Sequence, residues 1–266
     1  MWLLLSLIIS IAINLLGWAI SVAAETEKMY DLTGALSFIV VNLLAFVASH
    51  DSESRSDVRS ILALVVILLW AARLGAFLFT RVLSRPDRRL TKYVHEPSSF
   101  LVLWAAQSAW VFFSSLPVLA LFALEDARAP YGSTWDLVAT GVCVVAAVLQ
   151  VVADEEKRVF RSVPRNRGAF ISTGLWSWSR HPNYFFQIVF AWGLSALCWP
   201  AVRIGAGFFG GVLCCLGPAL ETFLILKISG IPLLEQAADD KWGDDYRYMK
   251  YKEATSVLIP FPPRQR

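Results

Sequence analysis

The chain has 266 residues, 56% of them hydrophobic and 17% charged, with a formal net charge of +3 and a mean hydropathy of +0.54. A soluble domain carries about 25% charged residues, so this composition, with its long charge-free runs, excludes a soluble fold and places the chain in a lipid bilayer. The small net charge gives no support for a nucleic-acid partner. Three scattered histidines and four cysteines set inside apolar runs give none for a metal centre.

Seven apolar runs approach the roughly 20 residues that a bilayer span needs: 2–23, 32–49, 60–80, 98–124, 137–153, 184–202 and 204–226. Met1 to Ala24 carry no charge. A secretory signal would begin basic and have a shorter apolar core, so this run reads as a first transmembrane helix. No strand pattern or linker follows. The expected fold is therefore all-α, one seven-helix integral membrane domain over 1–266.

Lys and Arg stay on the cytoplasmic side of short loops. Segment 81–97 holds Arg81, Arg85, Arg88, Arg89 and Lys92, and segment 154–183 holds Lys157, Arg158, Arg161, Arg165, Arg167 and Arg180. Segment 50–59 has only Arg55 and Arg59, and 124–136 only Arg128. The two basic loops thus face the cytoplasm, which puts the N-terminus outside and the C-terminal tail inside. Loop 24–31 also falls inside, although it carries Glu25, Glu27 and Asp31 against Lys28.

Several polar residues fall inside the apolar runs, where they are costly and mark candidate sites. Arg73 lies in the third run and either snorkels or serves a site. Glu221, in the last run, either bonds a neighbouring helix, pairs with Lys227 or serves a site. Asn42, Gln107 and Gln150 suit interhelical hydrogen bonding. "GAGFFG", Gly205 to Gly210, has the spacing of a dinucleotide fingerprint but lacks the strand and helix that such a motif joins. Close packing through Gly207 and Gly211 is the better use of it.

The stretch "GLWSWSRHPNYFFQ", Gly174 to Gln187, sets an Arg, a His, a Pro and an Asn in a row before an apolar run. Upstream lie Lys157, Arg158, Arg161, Arg165 and Arg167, with Asp154, Glu155 and Glu156 before them and Phe170, Trp176, Trp178 and Tyr184 interleaved. The guanidinium fork suits phosphate. Pro182 suits the first turn of a helix, whose outward N–H groups favour an anion. These residues fit a pocket for a phosphorylated, partly aromatic ligand, or an interfacial loop touching lipid headgroups. The polar tail, with Trp242, Tyr246, Tyr248 and Tyr251, forms either a lid or a solvated amphipathic helix.

The same stretch, followed by "SGIPLLE" and "YRYMKYKEATSVLIP", resembles the C-terminal domain of the steroid 5-alpha-reductase family. "EKMYDLTGALSF" and "ARLGAFLFTRVLSRPDRR" resemble its bacterial branch. The resemblance implies seven helices, NADPH held at the cytoplasmic side, and a steroid or other lipid enone entering from the bilayer to lose its Δ4 double bond. By motif position it implies cofactor contacts from Asp154, Arg161, Arg180, His181, Asn183, Tyr184, Glu235 and Tyr248. Gln187 stands where the family often has Glu. Arg73, Lys157, Asn166, Arg167, Trp176, Gln187 and Tyr246 complete the candidate cofactor set. Tyr30 and Asp31 fall near the family's substrate-carbonyl pair and are the catalytic candidates. The implied location is the bacterial inner membrane, with the site toward the cytoplasm.

Isoprenylcysteine methyltransferases also carry an Arg-His-Pro-x-Tyr element, usually with paired glutamates where this chain has Glu235-Gln236. Their cofactor, S-adenosylmethionine, has no phosphate and would leave the wealth of arginine less explained. A non-catalytic lipid-binding or transport protein is a third reading, without an inverted repeat to support it.

Overall fold

The computed structural model describes residues 2–49, 57–84, 86–124 and 130–263. His50, Arg55, Arg85 and Arg128 lie outside the described residues, as do the side chains of Arg88 and Arg89. Helices α1 (Trp2–Ala23), α2 (Met29–Ala48), α3 (Val58–Ser84), α4 (Arg88–Thr91), α5 (Pro97–Ala123), α6 (Thr134–Ser162), α7 (Pro182–Phe223), α8 (Ile231–Trp242) and α9 (Tyr246–Ala254) follow in order. No strand forms among the described residues; Ser179 and Ser256 make an isolated parallel bridge. The described residues form an all-helical fold, and six helical stretches among them are long and apolar enough to cross a membrane.

The apolar run 184–202 and most of the run 204–226 fall within one helical stretch, α7, which breaks at Gly207 with φ 66° and ψ −165°. Gly207 takes a positive φ, which a residue without Cβ adopts freely. The two arms then fold back on each other. Ser195 Oγ donates to the Cys214 carbonyl at 2.8 Å, and nearer the break Gly211 lies against the Trp199 ring. The glycines of "GAGFFG" thus build a helical hairpin: Gly207 turns the chain and Gly211 permits close packing.

The described residues form two compact units. One comprises 1–140 and 194–220. Its helices α1, α2 and α5 are pinned by buried amides and hydroxyls. Gln107 donates to Asn14 Oδ1 at 2.8 Å, Asn14 to Ser37 Oγ at 3.1 Å, and Asn42 to Ser115 Oγ at 2.9 Å. Lipid offers these groups no alternative partner, so these bonds are made between helices. Gly17 faces Trp104, Gly75 faces Ala35, and Gly217 lies on the Phe113 carbonyl. A Cβ at Gly217 would strike backbone, which cannot yield.

The same unit holds a buried ion pair that sequence reasoning missed. Arg59 Nη2 meets Asp136 Oδ1 at 2.6 Å, with side-chain exposures of 1% and 0%. The second Asp136 oxygen accepts from Gly132 N, Ser133 N and Ser133 Oγ at 2.8–3.1 Å. One carboxylate thus joins the first turn of α3 to the first turn of α6.

The second unit comprises 141–193 and 221–266. It contains the end of α6, the loop after it, both ends of α7, and the tail helices α8 and α9.

Candidate functional site

The polar cluster of the second unit is built where the loop 163–181 meets the tail. Trp176 anchors the loop: its indole donates to the Ala153 carbonyl at 2.9 Å, and Lys157 Nζ stands 4.0 Å over its ring. Glu156 accepts the Leu175 N–H at 3.0 Å and lies against Gly174, whose φ is 59°. Any side chain at Gly174 would be strained and would meet that carboxylate.

The tail then straps the loop in place. The Arg180 N–H donates to the Ser256 carbonyl at 2.8 Å, Ser179 Oγ to Leu258 at 2.7 Å, and the Phe261 N–H to Trp178 at 3.1 Å. Tyr251 adds a bond from its hydroxyl to the Trp176 carbonyl at 2.7 Å. The tail is therefore two helices and an extended strap.

Glu235, on α8, is the hub. Its Oε2 meets Arg180 Nη2 at 2.8 Å, and its Oε1 meets His181 Nε2 at 2.7 Å. Arg180 Nη1 also donates to the Lys252 carbonyl at 2.8 Å. One turn along α8, Asp239 binds Lys252 Nζ at 2.5 and 2.7 Å and accepts from the Tyr248 hydroxyl at 3.2 Å. Burial, with the Asp239 carboxylate beside it, pushes the Tyr248 hydroxyl up to about 12. Phe170 stacks on Tyr251 at 5.5 Å and meets Tyr248 edge-on at 5.3 Å, which makes one wall aromatic. Tyr184 stacks on His181 at 5.9 Å.

Arg180 and His181 are nearly buried, with side-chain exposures of 9% and 7%. Even so, Arg180 Nε and His181 Nδ1 meet no hydrogen-bonding partner among the described residues. Buried polar atoms are almost always paired; among the described residues these are the two unpaired ones that lie in this cluster.

Burial holds the His181 imidazole below the ordinary histidine range, against the opposing pull of Glu235. The folded state then binds fewer protons than the unfolded state, and stability rises with pH in that window. Stability is complete above the unfolded value of about 6.5 and is lost as pH falls from there through the depressed folded value. A melting temperature that drops from pH 8 to pH 5.5 in the native chain, and drops less in His181→Gln, is the expected result. Equal slopes would remove His181 as the cause.

Beyond this cluster the polar chain continues along α6 and α7. Asn183 Nδ2 donates to Asp154 Oδ1 at 3.1 Å. One turn further, Gln150 donates to Gln187 Oε1 at 3.2 Å, and Gln187 donates to Glu221 at 2.6 Å. The bond between Glu221 and a neighbouring helical arm is thus present.

The predicted cofactor residues therefore divide. Asp154, Lys157, Trp176, Arg180, His181, Asn183, Tyr184, Gln187, Glu235 and Tyr248 gather in the second unit around the loop, the start of α7 and the tail. Arg161 and Arg167 lie on its exposed surface, and Tyr246 is 71% exposed. Asn166 donates to the Phe160 carbonyl at 2.8 Å and closes the end of α6. Arg73 lies in the other unit, on α3.

Tyr30 and Asp31 also belong to that other unit, in the first turn of α2. The Tyr30 hydroxyl donates to the Leu103 carbonyl at 3.0 Å, and its ring meets Trp104 edge-on at 5.0 Å. Asp31 lies 3.4 Å from Arg81. Sequence reasoning missed Glu156, Asp239 and Lys252. The signal for Asp239 was its place four residues after Glu235, on the same face of a helix.

No curated protein and no solved structure matches the chain. A family model described as "Protein of unknown function (DUF1295)" matches residues 17–255. That span includes the loop, its strap helices and both ends of α7, and the chain therefore belongs to the DUF1295 family.

Proposed function

We propose that the protein is an NADPH-dependent membrane reductase that reduces the C=C bond of a lipophilic enone, the Δ4 bond of a 3-oxo steroid. The observation that carries this reading is the pair of buried atoms without partners, Arg180 Nε and His181 Nδ1. They lie beside Lys157, Lys252 and an aromatic wall, at the start of an apolar helix. A polyanion with flat rings suits that set of donors and surfaces. The resemblance of Gly174 to Gln187 and of the tail to steroid 5-alpha-reductases supports the same choice.

In this reading Arg180, with Lys157, Lys252 and the exposed Arg161 and Arg167, holds the phosphates, while Tyr184 packs the rings and Trp176 holds Lys157 and the loop in place. Asp154, Asn183 and Gln187 orient the reducing end. Glu235, with Tyr248 near it, holds Arg180 and His181 in place. When bound, NADPH would supply the hydride needed to reduce the enone. Tyr30 and Asp31 are the proposed donors at the carbonyl oxygen, where negative charge develops, Asp31 only in its protonated form; one such donor is worth about 3–4 kcal/mol. To act, the Tyr30 hydroxyl would exchange the Leu103 carbonyl for substrate.

The proposal includes seven membrane crossings, counting the two arms of α7 separately, with the N-terminus outside and the tail in the cytoplasm of a bacterial cell. The test is a titration of the detergent-purified chain with NADPH, followed by fluorescence, and then turnover with a Δ4-3-oxo steroid. Saturable NADPH binding and steroid-dependent NADPH oxidation are expected. Preferential binding of S-adenosylmethionine would overturn the reading in favour of methyl transfer.

A further inference from the structure

Glu221 is the most expensive side chain in the second unit. It is 3% exposed, lies in an apolar arm of α7, and is held by one neutral amide, Gln187 Nε2, at 2.6 Å. No cation pairs with it among the described residues. A buried carboxylate without a counter-ion costs several kcal/mol, and such residues inside spans mark ligand or ion sites.

Its surroundings point to the ligand. Asp154–Asn183 and Gln150–Gln187 are two hydrogen-bonded rungs between α6 and α7. Each rung is displaced by four residues on both helices, about one helical turn or 6 Å. They form a polar seam from the Arg180–His181 cluster into the apolar span, and Glu221 closes it. The direction of every bond is set. Gln150 donates to Gln187 Oε1, which leaves the Gln187 amide N–H to point at Glu221. Gln187 engages only Oε1 of a carboxylate that can accept about four hydrogen bonds. What the seam presents at its deep end is therefore acceptor capacity, in a dry place, oriented by a fixed amide.

We propose that Glu221 is a ligand-binding residue that accepts the N–H of a primary carboxamide at the reducing end of the nucleotide. The inference rests on the nicotinamide nucleotide reading and adds to it the group that recognises the carboxamide. The reach is suitable: the seam starts beside Arg180 and His181 and runs about two helical turns inward. Gln187 is then the positioning residue that holds the Glu221 carboxylate in line.

The test uses the full chain in detergent and two nucleotides: NADPH and its reduced 3-acetylpyridine analogue. The analogue keeps the carbonyl and replaces the amide NH2 by a methyl group. A hydrogen bond to a charged acceptor contributes about 1.5–3 kcal/mol, so the native chain should bind NADPH roughly 10- to 100-fold more tightly. Glu221→Ala should bring that ratio close to one and leave affinity for the analogue within about threefold. Glu221→Gln keeps the shape and an acceptor oxygen, so it tests the idea if the alanine variant fails to fold; its ratio should fall to a few-fold. An unchanged ratio in a folded Glu221 variant would sink the inference and leave the NADPH reading standing. Failure of the native chain to bind either nucleotide would sink both.

Discussion

Asp136→Ala is expected to lower the stability of the protein by about 3–5 kcal/mol, the usual cost of removing one member of a buried ion pair. Arg59 is 1% exposed, so the substitution takes the carboxylate from beside a guanidinium that water cannot reach. It also strips acceptors from the Gly132 and Ser133 N–H groups and the Ser133 hydroxyl. Arg59→Met should cost less, because Asp136 keeps those three donors and the thioether chain fills similar volume. The order of the two variants is as informative as the size. Thermal unfolding in detergent, followed by gel filtration, gives both. A change below about 1 kcal/mol for Asp136→Ala would show that the pair is not a fastening between α3 and α6.

Arg180→Ala is expected to weaken NADPH binding by about 2–5 kcal/mol, or more than tenfold in Kd. Arg180 is held by Glu235 at 2.8 Å and by the Lys252 carbonyl at 2.8 Å, and its own N–H is tied to Ser256. Its guanidinium is thus fixed before any ligand arrives, and little side-chain entropy is lost on binding. Removing it also leaves Glu235 without its closest cation in a half-buried place, which adds a repulsive charge beside an incoming phosphate. Arg165→Ala is the control. That side chain is exposed, so its loss should change Kd only slightly and mainly at low salt. Equal effects from the two variants would mean that diffuse positive charge, and no built site, attracts the nucleotide.

Glu235 links this prediction to the pH behaviour of His181, since one carboxylate serves both side chains. The two substitutions therefore should not add. A double variant at Arg180 and His181 is a natural way to measure their coupling.

The apolar runs, and so the helices and their approximate ends, were legible in the sequence because burial in lipid imposes a simple rule. Every backbone group must be bonded within its own helix, and roughly 20 apolar residues must follow one another. The loop from Gly174 to Gln187 was legible for a related reason. Polar residues are so costly beside an apolar run that a cluster of them stands out. The same logic singled out Asn42, Gln107 and Gln150, each of which proves to bond another helix.

What the sequence did not disclose are pairings between distant residues. Arg59 read as an outer-loop charge, yet it is buried against Asp136, 77 positions away. Glu235 gave no sign that it would clasp Arg180 and His181 together. Gly207 read as a packing glycine but is the turn of a hairpin, and the turn is what brings Glu221 to Gln187. Sequence by itself determined which segments avoid water, because that property belongs to each segment alone. Tertiary structure decided which polar groups meet, because satisfying a buried charge or amide depends on the distance between helices and on side-chain direction, and neither is a local property of the chain.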